Sequence, residues 1–315
     1  MPAANPLHDF MKYASLSVMA MIAMSCYILA DTFFVSQGLG TRGLAALNLA
    51  IPAYNFIHGT GLMLGMGGAT RFSILKSQDA DREANRMYTV TLYLSLIFSV
   101  LFVLTGLFLS GGLARLLGAD PAVFDMTNTY LKVLLLFSPA FILNDVLLCF
   151  VRNDGNPQLA MAATITGSLS NIVLDYVFIF PCGMGIFGAV FATGLAPVIG
   201  ILVMAPHWLK RDKGFHIIST GLPARAAGIT LSLGFPSLLA QLSSGIVMIV
   251  FNTIILGLLG NTGVAAYGVI ANISLVVTSI FTGIAQGVQP LISQAYGRKE
   301  TQLVGLYLKY SMSSM

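Results

Sequence analysis

Acidic side chains are scarce in this sequence, with Asp and Glu together making 12 of 315 residues. Three aspartates, Asp31, Asp145 and Asp175, stand inside long apolar runs. A carboxylate in such a run costs about 2.5–3.5 kcal/mol on insertion scales, so each one is a functional hypothesis by default. Asn171 precedes Asp175 by four residues, which places both on one face of a helix. At a helical rise of 1.5 Å per residue, Asp31 falls about 9 Å inside the outer end of its run. Asp175 falls about as deep from the same side, and Thr193 about 10 Å below it in the next run. Two carboxylates, a carboxamide and a hydroxyl at one depth offer the oxygen ligands that suit a hard cation. Two close carboxylates can instead titrate as one unit around a shared proton. The cargo expected of such a cluster is a proton or Na⁺, and the choice between them stays open. Asp145 falls near the opposite end of its run beside Asn144, where it is expected to snorkel or bond locally rather than join the others.

The elements that would hold these groups are long apolar helices. Hydrophobic residues make up 56% of the sequence and charged residues 9%, with a mean hydropathy of +0.84, whereas soluble domains carry about 25% charged residues. A span needs roughly 20 apolar residues, and such runs recur at Tyr13 to Gln37, Leu44 to Leu75, Tyr88 to Gly111, Asn128 to Val151, Leu159 to Pro181, Ile186 to Trp208, Ile229 to Leu259 and Val264 to Tyr296. They are apolar on all faces and dotted with Gly, Ala, Ser and Thr, the pattern of helices packing closely in lipid. The fold class expected is an all-α polytopic membrane protein with eight spans and the start of a ninth. The first run is too long for a signal-peptide core and lacks a clear cleavage site. Cys26, Cys149 and Cys182 have neither disulfide nor metal spacing. The net charge of +4 belongs to loop lysines and arginines rather than to a nucleic-acid surface.

Those charges also give an orientation. With the N-terminus inside, the inner side receives Lys12, Arg71, Lys76, Arg82, Arg86, Arg152, Lys210, Arg211, Lys213, Arg225, Arg298, Lys299 and Lys309, and the outer side only Arg42, Arg115 and Lys132. This asymmetry predicts a cytoplasmic N-terminus in an inner or plasma membrane.

The polar stretch from Leu209 to Arg225 divides the chain into a six-span lobe at 1–208, a linker at 209–228 and a partial second lobe at 229–315. A repeat supports the division. Leu39, Gly40, Gly43, Ala45 and Ala46 recur in order as Leu259, Gly260, Gly263, Ala265 and Ala266, and Asp31-Thr32 falls on Asn252-Thr253 with one gap. Six spans separate the copies, so both halves enter the membrane in the same direction, as in two-lobed transporters. The second lobe then holds only two spans and a beginning, which predicts an incomplete polypeptide unable to sustain coupled export alone.

Several motifs carry a family resemblance: Ala30-Asp31-Thr32-Phe33-Phe34-Val35 leading to Leu39-Gly40, the run Arg152-Asn153-Asp154-Gly155-Asn156-Pro157, Asn171-x-x-x-Asp175, and Gly234-Phe235-Pro236. In this order and spacing the sequence resembles the multidrug and toxic compound extrusion (MATE) family, near its DinF-like and MepA-like bacterial branches. The resemblance implies twelve helices in two lobes and export of bulky, often cationic, drugs against a proton or Na⁺ gradient. It implies small-molecule organic substrates, a bilayer environment, no cofactor beyond the coupling ion, and a monomer. It also implies a cation site whose members match Asp31, Asn171, Asp175 and Thr193. Two departures stand out. Between Met11 and Asp31 there is no proline of the kind linked to bending in some relatives, and the seventh run offers only neutral groups such as Gln241 and Asn252 where another branch has an acid.

Gly183-Met184-Gly185-Ile186-Phe187-Gly188 spells a dinucleotide fingerprint, yet it precedes no acid at the ribose spacing and is expected to be a tight turn. Gly59, Gly61, Gly65, Gly67 and Gly68 are expected at close helix contacts. A carboxylate pair also brings an intramembrane protease to mind, but the Tyr-Asp and Gly-x-Gly-Asp signatures are missing. A flippase for lipid-linked sugars is a nearer rival, disfavoured because the expected cavity spans hold almost no basic residues.

Overall fold

The computed structural model describes residues 5–209 and 214–315. Lys210, Arg211 and Lys213 of the expected linker lie outside them, as do the side chains of the repeat's second copy, Asn252, Thr253, Leu259, Gly260, Gly263, Ala265 and Ala266. In chain order the helices are α1 (Pro6–Lys76), α2 (Asp81–Phe108), α3 (Ser110–Leu116), α4 (Phe124–Leu136), α5 (Ser138–Asn153), α6 (Pro157–Ile179), α7 (Gly185–Leu209), α8 (Ala224–Gly297) and α9 (Thr301–Ser314).

A straight helix the length of α1 would reach about 107 Å, over three times a hydrocarbon core. It is broken at Gly40, whose φ of 66° and ψ of −159° suit a residue without a Cβ. The break separates the expected first and second spans. In α8 two segments, Ala224–Val247 and Ile273–Gly297, are each long and apolar enough to cross, matching the seventh and eighth expected runs. The fourth run is bent by 47° between α4 and α5. Pro139, the second residue of α5, has no N–H to continue the ladder, and α4 closes where the Phe137 N–H meets the Val133 carbonyl at 3.0 Å. All these elements are helical, as every backbone polar group in hydrocarbon must be satisfied within its own segment.

The turn from α5 to α6 is set by the run noted in the sequence. Gly155 takes a φ of 84°, Asn156 accepts the Leu159 N–H at 3.2 Å, and Pro157 opens α6, the ordinary cap-then-proline start. The fingerprint-like glycines form the turn from α6 to α7, with Gly183 and Gly185 at φ of 59° and 61°.

Helices α1 to α7 share a core that includes Phe72, Tyr88 and Phe150, joined by Phe215 of the segment between α7 and α8. A second cluster joins Phe10, Tyr13 and Ala14 of α1 to Ile284, Val288, Leu291 and Ala295 of α8 and Tyr307 of α9. Large apolar side chains such as Leu101, Phe108 and Leu169 stay exposed, as expected of surfaces turned to lipid. The chain is a multi-pass membrane protein.

Candidate functional site

Asp31 on α1, Asn171 and Asp175 on α6, and Thr193 on α7 are all buried, with Asn171 and Asp175 at 0% exposure. The i,i+4 spacing on α6 brings Asn171 and Asp175 together. With its amide turned so that both ends are satisfied, Asn171 donates to Asp175 Oδ2 at 3.1 Å and accepts the Thr193 N–H at 3.1 Å. The Thr193 hydroxyl donates to the Ala189 carbonyl at 3.0 Å. Asp31 and Asp175 lie within electrostatic reach of one another. Small residues allow this approach: a Cβ on Gly38 would strike Ile179, and one on Gly167 would lie 3.0 Å from the Ala196 carbonyl oxygen.

Tyr130 of α4 completes the cluster and went unread in the sequence. It is buried, and it faces Asp31 and Asp175 with the Thr193 side chain beside it. The signal was available: Tyr130 is six residues into α4, about 9 Å deep at 1.5 Å per residue, level with the acids. A neutral phenol simply does not stand out among apolar neighbours as a carboxylate does.

Two oxygens of the cluster, Asp31 Oδ1 and Asp175 Oδ1, are buried without a hydrogen-bond partner. A buried carboxylate oxygen left without water is costly, and either a proton or a cation would relieve it. Together with the Asn171 carboxamide and the Tyr130 and Thr193 hydroxyls, the donor set is all oxygen and fits a proton or Na⁺.

Asp145 does not behave as a residue of the interface. It is 5% exposed, and its Oδ2 lies 2.9 Å from Nδ1 of His58 on α1, although not in line with the ring N–H. The expectation that it snorkels or bonds to near neighbours is corrected. Its partner comes from the second span, and Gly61 one turn further on leaves room for its carboxylate, which a Cβ there would meet at 2.5 Å. A cavity of about 80 Å³ runs past Tyr27, Tyr54, His58, Asn144, Asp145, Arg152, Ser168, Thr193 and Gln286. Arg152 is the one lysine or arginine among the described residues that borders it, in keeping with the scarcity of basic groups expected there.

The MatE family profile matches residues 17–177 and 236–314. The chain belongs to the MatE family. Among curated relatives, this MatE chain is similar to the multidrug export protein MepA of Staphylococcus saprophyticus, at 28% identity over 272 residues covering 85% of the chain and 59% of the relative. It is similar as well to MepA of Staphylococcus aureus strain MRSA252, at 25% over 292 residues covering 92% and 64%. The chain thus spans about three fifths of the length of these relatives. A solved "Outward-facing conformation of a multidrug resistance MATE family transporter of the MOP superfamily" superposes with a TM-score of 0.92 at 28% identity, covering 98% of this chain and 69% of that one. MatE proteins are membrane transporters and not enzymes, so the carboxylates are not a proteolytic dyad.

Proposed function

We propose that this MatE protein exports bulky, often cationic, organic compounds in exchange for a proton or Na⁺ carried at Asp31, Asn171, Asp175 and Thr193. The observation that carries the proposal is the pair of buried carboxylate oxygens without partners, Asp31 Oδ1 and Asp175 Oδ1, inside a family whose similar relatives include multidrug exporters. Coupling needs the ion and the drug to favour different arrangements of the helices. Residues 1–208 form one lobe, 209–228 a cytoplasmic linker and 229–315 part of a second lobe. The N-terminus faces the cytoplasm and the protein works as a monomer.

The flippase alternative draws on Arg152 at the cavity wall. Its guanidinium is turned to Gln286, with Nη1 3.1 Å from Oε1 and 3.3 Å from the carbonyl oxygen, and a single arginine is a meagre cradle for a lipid-linked pyrophosphate.

Proteoliposomes carrying this chain within a polypeptide of its relatives' full length test the proposal, with pH and Na⁺ gradients imposed separately and efflux of a fluorescent organic cation as the readout. Asp175→Asn is expected to abolish gradient-driven efflux while membrane insertion is unchanged. Efflux at the unsubstituted rate would refute the role given to Asp175.

A further inference from the structure

Arg152 is a buried cation without a counter-charge. It stands in the last turn of α5 at 6% exposure, and no carboxylate forms an ion pair with it among the described residues. The acids nearest to it in sequence are committed elsewhere. Asp145 lies two turns back, about 10 Å along the axis, and faces His58 at 2.9 Å. Asp154 Oδ2 accepts the Gly214 N–H at 2.9 Å and lies 2.9 Å from His207 Nε2. A guanidinium keeps its charge inside proteins, and taking it out of water unpaired is costly. Tethering Gln286 of α8 does not account for that charge, because a hydrogen bond to an amide requires no charged donor.

The guanidinium also has an open edge. Nη1 donates to the Oε1 and the carbonyl oxygen of Gln286 at 3.1 and 3.3 Å, whereas Nε and Nη2 donate to nothing among the described residues. Those two groups form one side of the fork, where parallel N–H bonds meet both oxygens of a carboxylate. Neither is sealed within protein, and Arg152 lines the cavity of about 80 Å³. Asn144, Leu148 and Arg152, four residues apart on α5, line it together and so share one face of that helix. Ser168 of α6 and Gln286 of α8 line it as well. The Asn144 amide, the Ser168 hydroxyl and Gln286 Nε2 donate to no described residue. At about 30 Å³ of liquid volume per water, the space takes roughly two or three water-sized groups, which suits a carboxylate and is too small for a bulky drug.

We propose that Arg152, with Asn144, Ser168 and Gln286, is a binding site for a carboxylate group. The carboxylate takes the Nε and Nη2 donors in parallel and the neutral donors on its remaining lone pairs, and its single negative charge balances the guanidinium. A phosphate would bring more charge than one arginine offsets, and a halide would match the charge without using the fork. The carboxylate belongs either to the exported compound or to a small free acid, and the chemistry at Arg152 is the same for both. Arg152 is none of the four residues assigned to the coupling ion, so occupancy can be read without transport.

The test uses the chain within a polypeptide of its relatives' full length, reconstituted in lipid, with ¹³C-labelled acetate as the probe and NMR line broadening as the readout. Acetate is expected to bind saturably and ahead of chloride. Arg152→Gln should weaken acetate binding roughly tenfold or more, and Arg152→Lys, which has the charge without the fork, should recover part of it. Ser168→Ala leaves the link between Arg152 and Gln286 untouched and should weaken acetate binding about threefold, which a purely structural Arg152 would not produce. Efflux of a zwitterionic dye and of its methyl ester separates the two sources. A carboxylate belonging to the exported compound makes Arg152→Gln raise the KM of the zwitterion alone, whereas a free acid makes acetate alter efflux of the ester until Arg152 is replaced. Acetate that binds no better than to protein-free lipid, or equally well to Arg152→Gln, would overturn the inference. Acetate binding without any export would instead overturn the proposed function and leave this site standing.

Discussion

Asn171 shows how one neutral side chain governs a charged neighbour. Its amide serves Asp175 at one end and the Thr193 N–H at the other, both at 3.1 Å, so Asn171→Ala leaves a carboxylate oxygen unmatched in a buried place. Such orphaned groups cost about 1–3 kcal/mol, and the apparent affinity for the coupling ion should fall about tenfold for each 1.4 kcal/mol. The ion dependence of efflux in proteoliposomes would register the change. Tyr130→Phe removes a hydroxyl from the same cluster without touching a carboxylate, and a smaller weakening of ion affinity is expected in that assay. The depth rule located Asp31, Asn171, Asp175 and Thr193 because carboxylates are conspicuous in apolar runs. It passed over Tyr130 and His58, whose importance lies in what they touch.

Among the helices, glycine decides how closely two backbones come. Gly67 of α1 faces the backbone of α8, where a Cβ would collide with the Thr230 carbonyl oxygen and lie 2.9 Å from the Gly234 nitrogen. Backbone cannot swing aside, so Gly67→Ala is expected to cost about 1–3 kcal/mol of packing strain and to part α1 from α8. A cysteine pair placed across that contact should cross-link more slowly in the variant. Gly40 differs, since a Cβ there meets nothing within 4 Å and the constraint is its positive φ. Gly40→Ala should cost about 1–2 kcal/mol, visible as a lower thermal midpoint in detergent, with no change in how α1 packs on α8.

Across the whole molecule, a polar set ties α1 and α5 to α8 at the end where α5 turns into α6. Asn153 donates to the Gln289 Oε1 at 2.9 Å, Gln289 donates to Thr70 Oγ1 at 2.8 Å and Ser293 Oγ at 3.1 Å, and Arg152 holds Gln286. These bonds join α1 and α5 to α8, alongside the cluster of Phe10, Tyr13 and Ala14 with α8 and α9. Breaking them with Asn153→Ala and Gln289→Ala should loosen the contact of α5 with α8. Spin labels on α5 and α8 would then report a longer distance component, and the double variant should add little to either single one, as expected for residues in one network.

By itself the sequence determined that the chain is a bundle of membrane-spanning helices, and it singled out four oxygen-bearing residues as a candidate site. Span length, hydropathy and helical rise are properties of a segment and its solvent, so they are local and can be counted along the chain. It also carried the family motifs, including the turn at Gly155 and Asn156. Only the tertiary structure decided which faces meet. Asp145 pairs with His58 of another span, Arg152 turns to Gln286, and Tyr27 and Tyr54 touch within α1 across its break. Those partnerships depend on crossing geometry and on which glycines admit a neighbour, and neither quantity is periodic in the sequence.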